Sequence, residues 1–181
     1  ESYKYFWSLG REEIVHRLRT TAEYEEIART EMVDEAFFNE TNHVLCVHSR
    51  RGDYLKSRLH AHSNEVFTVP AIDLVVNRIM SQKKKNSVSV VLIGDDKLWE
   101  QVAIAKRLLA AKNYAIAQTN GTAVPPEVDW EFSRQYCDTV LLTASASTFG
   151  WFVGFMARGN DVYYNTVSSK PGGLGAGFTP D

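Results

Sequence analysis

Short apolar runs alternate with stretches of helical periodicity along this sequence, and the alternation constrains the fold more than any other feature. Runs of this kind are typical of strands buried inside a sheet, and they cover residues 43–47, 88–93, 114–117, 139–142 and 161–164. Helical patterns flank them over residues 11–36, 69–80, 97–111, 129–136 and 147–157. Strands that alternate with helices form a parallel sheet with right-handed crossovers. The sequence therefore predicts a single α/β domain in which helices flank a Rossmann-like parallel sheet.

The helical pattern of residues 97–111 predicts which side chains face the sheet, namely Val102, Ala105, Leu108 and Leu109. The pattern of residues 11–36 weakens after Ala22, so two helices are possible there. Around this β/α core of residues 43–165 we expect a helical lead-in, residues 1–40, and a flexible tail, residues 166–181. The tail contains a glycine-rich stretch, but a dinucleotide-binding fingerprint needs a strand before it and a helix after it.

Composition excludes several classes of function. The net charge of −2 argues against a nucleic-acid partner, because proteins that bind nucleic acids usually have a basic surface. No run approaches the roughly 20 apolar residues of a membrane span. Cys46 and Cys137 lie in apolar surroundings, so we expect buried free thiols, with a disulfide as the alternative. Two glycosylation sequons, at Asn39 and Asn120, hint at a secretory compartment.

A histidine, two arginines and an aspartate follow the first predicted strand directly, as His48, Arg50, Arg51 and Asp53. Ligands of open α/β sheets bind at the carboxyl ends of the strands. The planar guanidinium of arginine matches phosphate oxygens and stays charged at any physiological pH. The pattern predicts a phosphate-bearing ligand. Two simpler interpretations remain: an Arg–Asp pair that closes a loop, and an adhesion tripeptide spelled by residues 51–53.

Two further strand ends should open on the same edge of the sheet. Asp95 and Asp96 follow the second strand, and their carboxylates suit the donors of a ribose or of a guanine edge, although either could simply cap the next helix. The fourth strand leads into a helix through Ser147, Thr148 and Phe149, and a helix N-terminus with added hydroxyls suits an anion. Plain N-capping by a serine is the alternative there. Together the three strand ends suggest a sugar nucleotide held through its diphosphate, without need of a metal ion.

The motif of residues 48–54, HSRRGDY, resembles the His-x-Arg-Arg-x-Asp motif of the α1,2-fucosyltransferases, glycosyltransferase family 11. A second motif of that family is similar to Cys137 and Asp138, the strand of residues 139–142 and the turn of residues 147–151, STFGW. The resemblance spans nearly the whole chain, from the segment near Ser2 to the last strand. From the resemblance we expect the portion of the family that normally precedes Ser2, including any membrane anchor, to be absent from this chain.

The resemblance implies the donor-binding half of a GT-B-like, metal-independent, inverting enzyme that transfers L-fucose from GDP-fucose to a galactose-containing glycan in the Golgi lumen. It implies that Arg50 holds the β-phosphate, while Arg51 and Asp53 brace the loop or contact the donor. His48 and Asp95 or Asp96 would face the guanosine, and Ser147, Thr148 and Phe149 would complete the phosphate cradle. A non-catalytic nucleotide- or glycan-binding relative, or a fucosyltransferase of another linkage (α1,6 or O-fucosyl), remains an alternative.

Overall fold

Five parallel strands form the centre of the protein in the order β3–β2–β1–β4–β5. The computed structural model describes residues 9–30, 42–83, 87–109, 115–119 and 124–170. The strands are β1 (His43–Ser49), β2 (Val88–Gly94), β3 (Ala115–Gln118), β4 (Thr139–Leu142) and β5 (Asp161–Tyr164). Every side chain of β1 is buried, whereas β5 is an exposed edge strand. The parallel α/β sheet predicted from the sequence is confirmed.

Helices cover both faces of the sheet and divide the core into two clusters. They are α1 (Arg11–Arg17), α2 (Ala22–Thr30), α3 (Gly52–Lys56), α4 (Glu65–Gln82), α5 (Lys97–Trp99), α6 (Lys106–Leu109), α7 (Glu127–Tyr136) and α8 (Thr148–Met156), with a π-helical segment Glu100–Ala105 between α5 and α6. Successive β1 side chains point to opposite faces, so Leu45 and Val47 pack with α4 and α6, while Val44 and Cys46 pack with α2, α7 and α8. The fully buried β1 is therefore the central strand on which both layers rest.

The helix predicted behind Pro70 begins earlier than expected. α4 starts at Glu65, and the Asn64 side chain accepts a hydrogen bond from the Phe67 backbone N–H at 2.9 Å. Pro70 consequently lies inside the helix rather than ahead of it. The cap is the physical reason for the difference, because an Asn at the N-cap position satisfies an otherwise unpaired amide and sets the start of a helix.

Only two of the four side chains predicted to face the sheet from the helix after β2 are buried. Ala105 and Leu108 are buried as expected, but Val102 and Leu109 are exposed and Ile104 is buried instead. The π-helical segment explains the difference, because a wider turn shifts the phase of every residue after it relative to a regular α-helix.

The expectation that both cysteines are free thiols is wrong. Cys46 in β1 and Cys137 at the end of α7 form a disulfide with a Cα–Cα distance of 5.6 Å. The two cysteines are separated by 91 positions in sequence, and only the return of the chain through α7 brings Cys137 beneath β1. Burial was predicted correctly, since both residues are inaccessible to solvent.

Both ends of the described chain attach to the core. The lead-in forms the two helices α1 and α2, as the weakening periodicity indicated, and Arg11 donates a hydrogen bond to the Phe155 carbonyl at 3.0 Å. Ser169 pairs with His60, and the Lys170 N–H donates to the Leu59 carbonyl at 2.8 Å. The first residues of the predicted tail are therefore hydrogen-bonded to the rest of the protein. The glycine-rich stretch of residues 172–177 lies outside the described residues. Within the described ranges, no helix is long and apolar enough to cross a bilayer.

Candidate functional site

The sheet topology places the predicted motifs at one edge. Ser49 at the end of β1 is in register with Gly94 at the end of β2, and His48 is in register with Leu142 at the end of β4. The strand order reverses at β1, with β2 on one side and β4 on the other, which makes the β1–β4 junction a topological switch point. Ligands of open α/β sheets bind in the crevice at such a point. The expected convergence of the three strand ends is therefore present.

Arg51 is built into the loop that follows β1. Its Nε donates to Asp96 Oδ2 at 3.1 Å, and its Nη1 donates to the Ser63 carbonyl at 2.7 Å. The guanidinium also stacks over the Trp99 ring, with its central carbon 4.4 Å from the ring centroid. With only 15 % of its side chain exposed, Arg51 braces the loop. This is one of the two roles that the family resemblance implied for it.

Arg50 is the more open of the two arginines, with 32 % of its side chain exposed. Its Nε lies 2.9 Å from Asp53 Oδ1 and 3.3 Å from Asp95 Oδ2. The Arg50 guanidinium, which hydrogen-bonds the Asp53 carboxylate, lowers the pKa of Asp53 below its ordinary value. The loop-closing Arg–Asp pair considered from the sequence therefore exists, and it leaves guanidinium N–H groups on a partly exposed side chain at the sheet edge.

Asp95 and Asp96 connect β2 to the arginine loop. Asp95 Oδ1 accepts the Arg51 backbone N–H at 2.9 Å. Asp96 caps α5, because its Oδ1 accepts the Trp99 N–H at 3.1 Å. The capping interpretation is confirmed for Asp96, while both carboxylates also pair with an arginine side chain. Each carboxylate therefore already accepts hydrogen bonds from groups of the protein itself.

His48 does not lie on the surface of the crevice. Its side chain is 1 % exposed, and its ring packs 5.8 Å from the Phe149 ring. Burial, with smaller contributions from the charges of Arg50 and Lys97, lowers the pKa of the imidazole to about 3. The neutral ring supports the first turn of α8 from below, so the expectation that His48 faces a guanosine is not what this conformation shows. The physical reason is that strand alternation turns His48 into the layer beneath α8.

The turn after β4 forms the N-terminus of α8. The Ser147 hydroxyl accepts the Gly150 N–H at 3.1 Å and is buried, so it acts as the N-cap that the simpler interpretation predicted. Thr148 is exposed and Phe149 is half-buried. The first amides of a helix have no acceptor within it and carry a partial positive charge. Thr148 and the first-turn amides are thus the groups that α8 offers to an anion.

Two residues that sequence reasoning missed hold the arginine loop in place. Ser63 is fully buried, accepts the Arg50 N–H on its hydroxyl at 2.9 Å, and shares a 2.6 Å hydrogen bond with the Thr143 hydroxyl. Lys170 caps the end of α3, where its Nζ donates to the Ser57 carbonyl at 2.6 Å. Neither belongs to a recognisable motif, because their partners lie far away in sequence. A buried serine and an isolated lysine carry no signal of their own.

A second polar layer lies beneath the ends of β2 and β3. Lys97 Nζ lies 3.3 Å from Glu100 Oε2 and donates to the Thr119 hydroxyl at 3.1 Å. The Thr119 hydroxyl in turn lies 3.4 Å from Asp129 Oδ1. Burial raises the pKa of Asp129 to about 6, against the opposing effect of the Lys97 charge. The sequence pattern placed Asp129 and Glu100 only within predicted helices.

Chemically, this edge combines a partly exposed arginine with a helix N-terminus, two groups that bind anions. Among the described residues, no three His, Cys, Asp or Glu side chains cluster closely enough to hold a metal ion. The arrangement can therefore neutralise a multiply charged anion such as a diphosphate through guanidinium and amide groups.

Comparison with known proteins supplies the identification. The sequence pattern of Glycosyl transferase family 11 matches residues 2–170. The chain belongs to glycosyltransferase family 11. A galactoside 2-alpha-L-fucosyltransferase of Caenorhabditis elegans is 34 % identical over 168 residues, which are 92 % of this chain and 44 % of that protein. A second Caenorhabditis elegans protein of the same name is 29 % identical over 171 residues, covering 84 % of this chain and 42 % of its own length.

The family 11 chain thus spans less than half the length of these two relatives. A crystal structure of POFUT1 in complex with GDP is a more distant likeness, with 10 % identity and a TM-score of 0.49. It covers 81 % of this chain and 48 % of that one.

Proposed function

We propose that this chain is the donor-binding part of an enzyme that transfers L-fucose, with inversion, from GDP-fucose to a galactosyl hydroxyl of a glycan. The observation that carries the proposal is the position of the Arg50–Arg51 loop and of the α8 N-terminus on the two sides of one switch point. Family membership and the names of the two relatives support the reaction class. The chain would be one half of a GT-B-like enzyme, with the acceptor bound by another half.

In this proposal Arg50 binds the β-phosphate and stabilises the GDP that leaves as the bond between fucosyl C1 and the phosphate oxygen breaks. Charge grows on that oxygen in the transition state, and donors oriented in advance stabilise it most. Arg51 and Asp53 hold the loop, and Thr148 with the Phe149 amide adds donors from α8. Ser147 contributes by capping α8 and His48 by supporting it, as their burial suggests.

Guanine is recognised, we propose, by a carboxylate at this edge. Asp95 and Asp96 are the residues predicted for it, and both already accept hydrogen bonds from the arginine loop or α5. Asp129 is a third candidate, because it lies in the first turn of α7 near the end of β3, where burial raises its pKa and the Thr119 hydroxyl lies 3.4 Å from its Oδ1. Substituting each by Asn and comparing GDP with UDP identifies the reader: only in that variant should the preference for GDP fall by roughly tenfold or more. Three variants that all keep the wild-type preference would exclude these three carboxylates as the groups that recognise guanine.

The disulfide supports a secretory location, which we propose to be the Golgi lumen. Buried disulfides form and persist in oxidising compartments and are rare in the cytosol. Cys46–Cys137 is such a bond. Membrane attachment would come from sequence outside this chain, and the two sequons that predict a glycoprotein lie outside the described residues.

Calorimetric titration of the 181-residue chain with GDP, GMP, UDP and GDP-fucose tests the proposal. GDP should bind more tightly than GMP because the β-phosphate meets Arg50, and more tightly than UDP because of the base. EDTA should leave the affinity unchanged, since guanidinium and helix amides take the place of a metal ion. No GDP binding, equal affinity for GDP and GMP, or a requirement for magnesium or manganese would contradict it.

Transfer itself tests whether the chain also holds the acceptor site. Orienting the acceptor hydroxyl can contribute about 7–11 kcal/mol to lowering the barrier, and we propose that the acceptor surface lies outside these residues. GDP binding with negligible transfer to a galactose-terminated acceptor is therefore expected for residues 1–181. Transfer at a substantial rate would place the acceptor site within the chain, and transfer to serine, threonine or core N-acetylglucosamine would favour the other linkages.

A further inference from the structure

Glu100 is a buried acid in a protein whose other acids mostly lie at the surface. Its side chain is 1 % exposed and lies at the start of the π-helical segment. Burying a carboxylate is costly unless charged and polar partners compensate it. π-Helical turns are rare and frequently occur at functional sites. The residue therefore requires a physical explanation that the phosphate-binding groups do not supply.

The Glu100 carboxylate connects three elements. It accepts a hydrogen bond from the Ser49 hydroxyl at 2.7 Å, at the end of β1. It accepts another from the Gln118 amide at 3.1 Å, at the end of β3, and its other contact is the Lys97 ammonium at 3.3 Å. The bonds to Ser49 and Gln118 span long sequence separations, so a single side chain ties the ends of two strands to the helix that begins after a third.

Gly94 makes the contact between Ser49 and Glu100 possible. A Cβ at this position would lie 2.2 Å from Ser49 Oγ and 2.4 Å from Glu100 Oε1, far closer than atoms approach. Ser49 and Gly94 are register partners, and the next residues of their strands are Arg50 and Asp95. Those two side chains form an ion pair at 3.3 Å. The Glu100 carboxylate thus lies directly beneath the place where the arginine and aspartate motifs meet.

We propose that Glu100 is a positioning residue for nucleotide binding, which holds the ends of β1, β2 and β3 so that Arg50 meets its phosphate at the correct angle. The inference rests on the proposed function, because it assigns a role in binding GDP. Glu100 itself need not touch the ligand. A buried charge suits this role because its strong hydrogen bonds fix the strand ends more tightly than van der Waals packing does.

Hydrogen exchange on the ligand-free chain tests the positioning independently of GDP. Glu100→Ala should accelerate exchange of the Arg51 amide, which donates to Asp95, by about tenfold or more. Amides of α7 should keep their wild-type rates. The control is Leu108→Ala, which empties a buried apolar site about two turns further along the same helical run, in the core cluster that packs with α4. Equal acceleration in both variants would overturn the inference, because it would show general loosening of the fold.

GDP titration then tests the consequence for binding. Glu100→Ala should weaken GDP binding by about 10- to 100-fold, by analogy with the loss seen when residues that orient metal ligands are removed. Glu100→Gln should lose less, because its amide oxygen can still accept the Ser49 hydroxyl. Leu108→Ala should stay within about twofold of wild type at a temperature where each variant is folded. If Glu100→Ala or Leu108→Ala does not fold, Glu100→Gln and Ile104→Val form a milder matched pair.

A double-mutant cycle separates positioning from plain destabilisation. If Glu100 acts through Arg50, Glu100→Ala should weaken GDP binding much less in an Arg50→Ala background than in the wild type. Fully additive losses, or an affinity that merely follows thermal stability across all variants, would overturn the inference. Absence of GDP binding by the wild type would instead refute the proposed function, while the hydrogen-exchange result would still decide whether Glu100 holds the loop.

Discussion

Arg50 and Arg51 are adjacent in sequence but have different surroundings. Substituting Arg50 should therefore affect mainly GDP binding, whereas substituting Arg51 should also affect stability. Arg50→Ala should weaken GDP binding by about 10- to 150-fold, the cost of losing a charge-assisted phosphate contact, with little change in stability. Arg51→Ala should lower the unfolding free energy as well, because it removes the stacking on Trp99 and the bond to Ser63. Calorimetry with GDP and urea unfolding of both variants measure the two effects.

Arg58→Ala is the matched control for that comparison, since Arg58 is an exposed arginine just after α3, in the same connection between β1 and α4. Its affinity for GDP should remain within about twofold of wild type, as for most surface substitutions. Arg50→Lys should not restore binding, because an ammonium cannot reproduce the two parallel hydrogen bonds of a guanidinium. Full affinity in the lysine variant would contradict the bidentate contact.

His48 should make the protein sensitive to acid. Its pKa is lowered from 6.5 to about 3, so between these pH values the imidazole is protonated in the unfolded chain and neutral in the folded chain. The stability from the neutral ring is present above pH 6.5 and is lost as the pH falls toward 3. Between pH 7 and pH 5 the loss should be about 2 kcal/mol. Urea unfolding of the wild type and of His48→Gln at both pH values measures it, as the difference between the two pH dependences.

The titration of Asp129 changes stability with pH in the opposite direction to that of His48, so the two effects must be measured separately. Its pKa is raised to about 6, so its contribution to stability is present below pH 3.8 and is lost as the pH rises through 6. In an Asp129→Asn background the acid sensitivity caused by His48 should therefore appear steeper than in the wild type. An unchanged or shallower slope in that background would contradict the assignment.

At the scale of the element, α8 depends on how closely its first turn approaches β1. A Cβ at Gly150 would lie 2.5 Å from His48 Nδ1, so Gly150→Ala must displace either the ring or the helix N-terminus. Overpacking of this kind costs about 1–3 kcal/mol, and we expect weaker GDP binding because the phosphate-facing amides move. Thermal unfolding and GDP titration test both effects.

Gly154→Ala is the control on the same helix. Its Cβ would meet Val162 Cγ1 at 3.2 Å, a tight contact with a side chain of the edge strand that can yield slightly. Alanine otherwise favours a helix over glycine by about 1 kcal/mol. GDP affinity should therefore remain near wild type in Gly154→Ala. Equal losses of affinity in the two variants would show that the position of the α8 N-terminus is not what matters.

At the scale of the whole molecule, the disulfide joins the central strand to the crossover that leads to β4. Replacing Cys46 and Cys137 by alanine should lower the unfolding free energy by about 2–5 kcal/mol, because the unfolded chain gains the freedom of a long loop. Urea unfolding measures the loss. When the wild-type protein is denatured without a reducing agent, a thiol reagent should detect no free cysteine. Two reactive thiols would contradict the disulfide.

Most of the architecture could be predicted from local pattern alone. The strands of residues 139–142 and 161–164 have the bounds expected from their apolar runs, and the alternation with helices predicted a parallel sheet. Parallel strands end at a common edge, so the convergence of Arg50, Asp95 and Ser147 followed as well. Local sequence suffices here because periodicity and capping are properties of neighbouring residues.

Only the tertiary structure decided which of these groups are exposed and what they are paired with. The sequence placed His48 beside the arginines, and the packing of α8 on β1 buried it. Likewise the disulfide, the bridging role of Glu100 and the raised pKa of Asp129 depend on residues that are distant along the chain. A side chain's surroundings arise from the register between strands and the packing of helices on them, and neither is encoded in its immediate neighbours. The sequence by itself determined the elements and the edge proposed to bind the ligand, and the tertiary structure determined which side chains at that edge are exposed and which are buried beneath them.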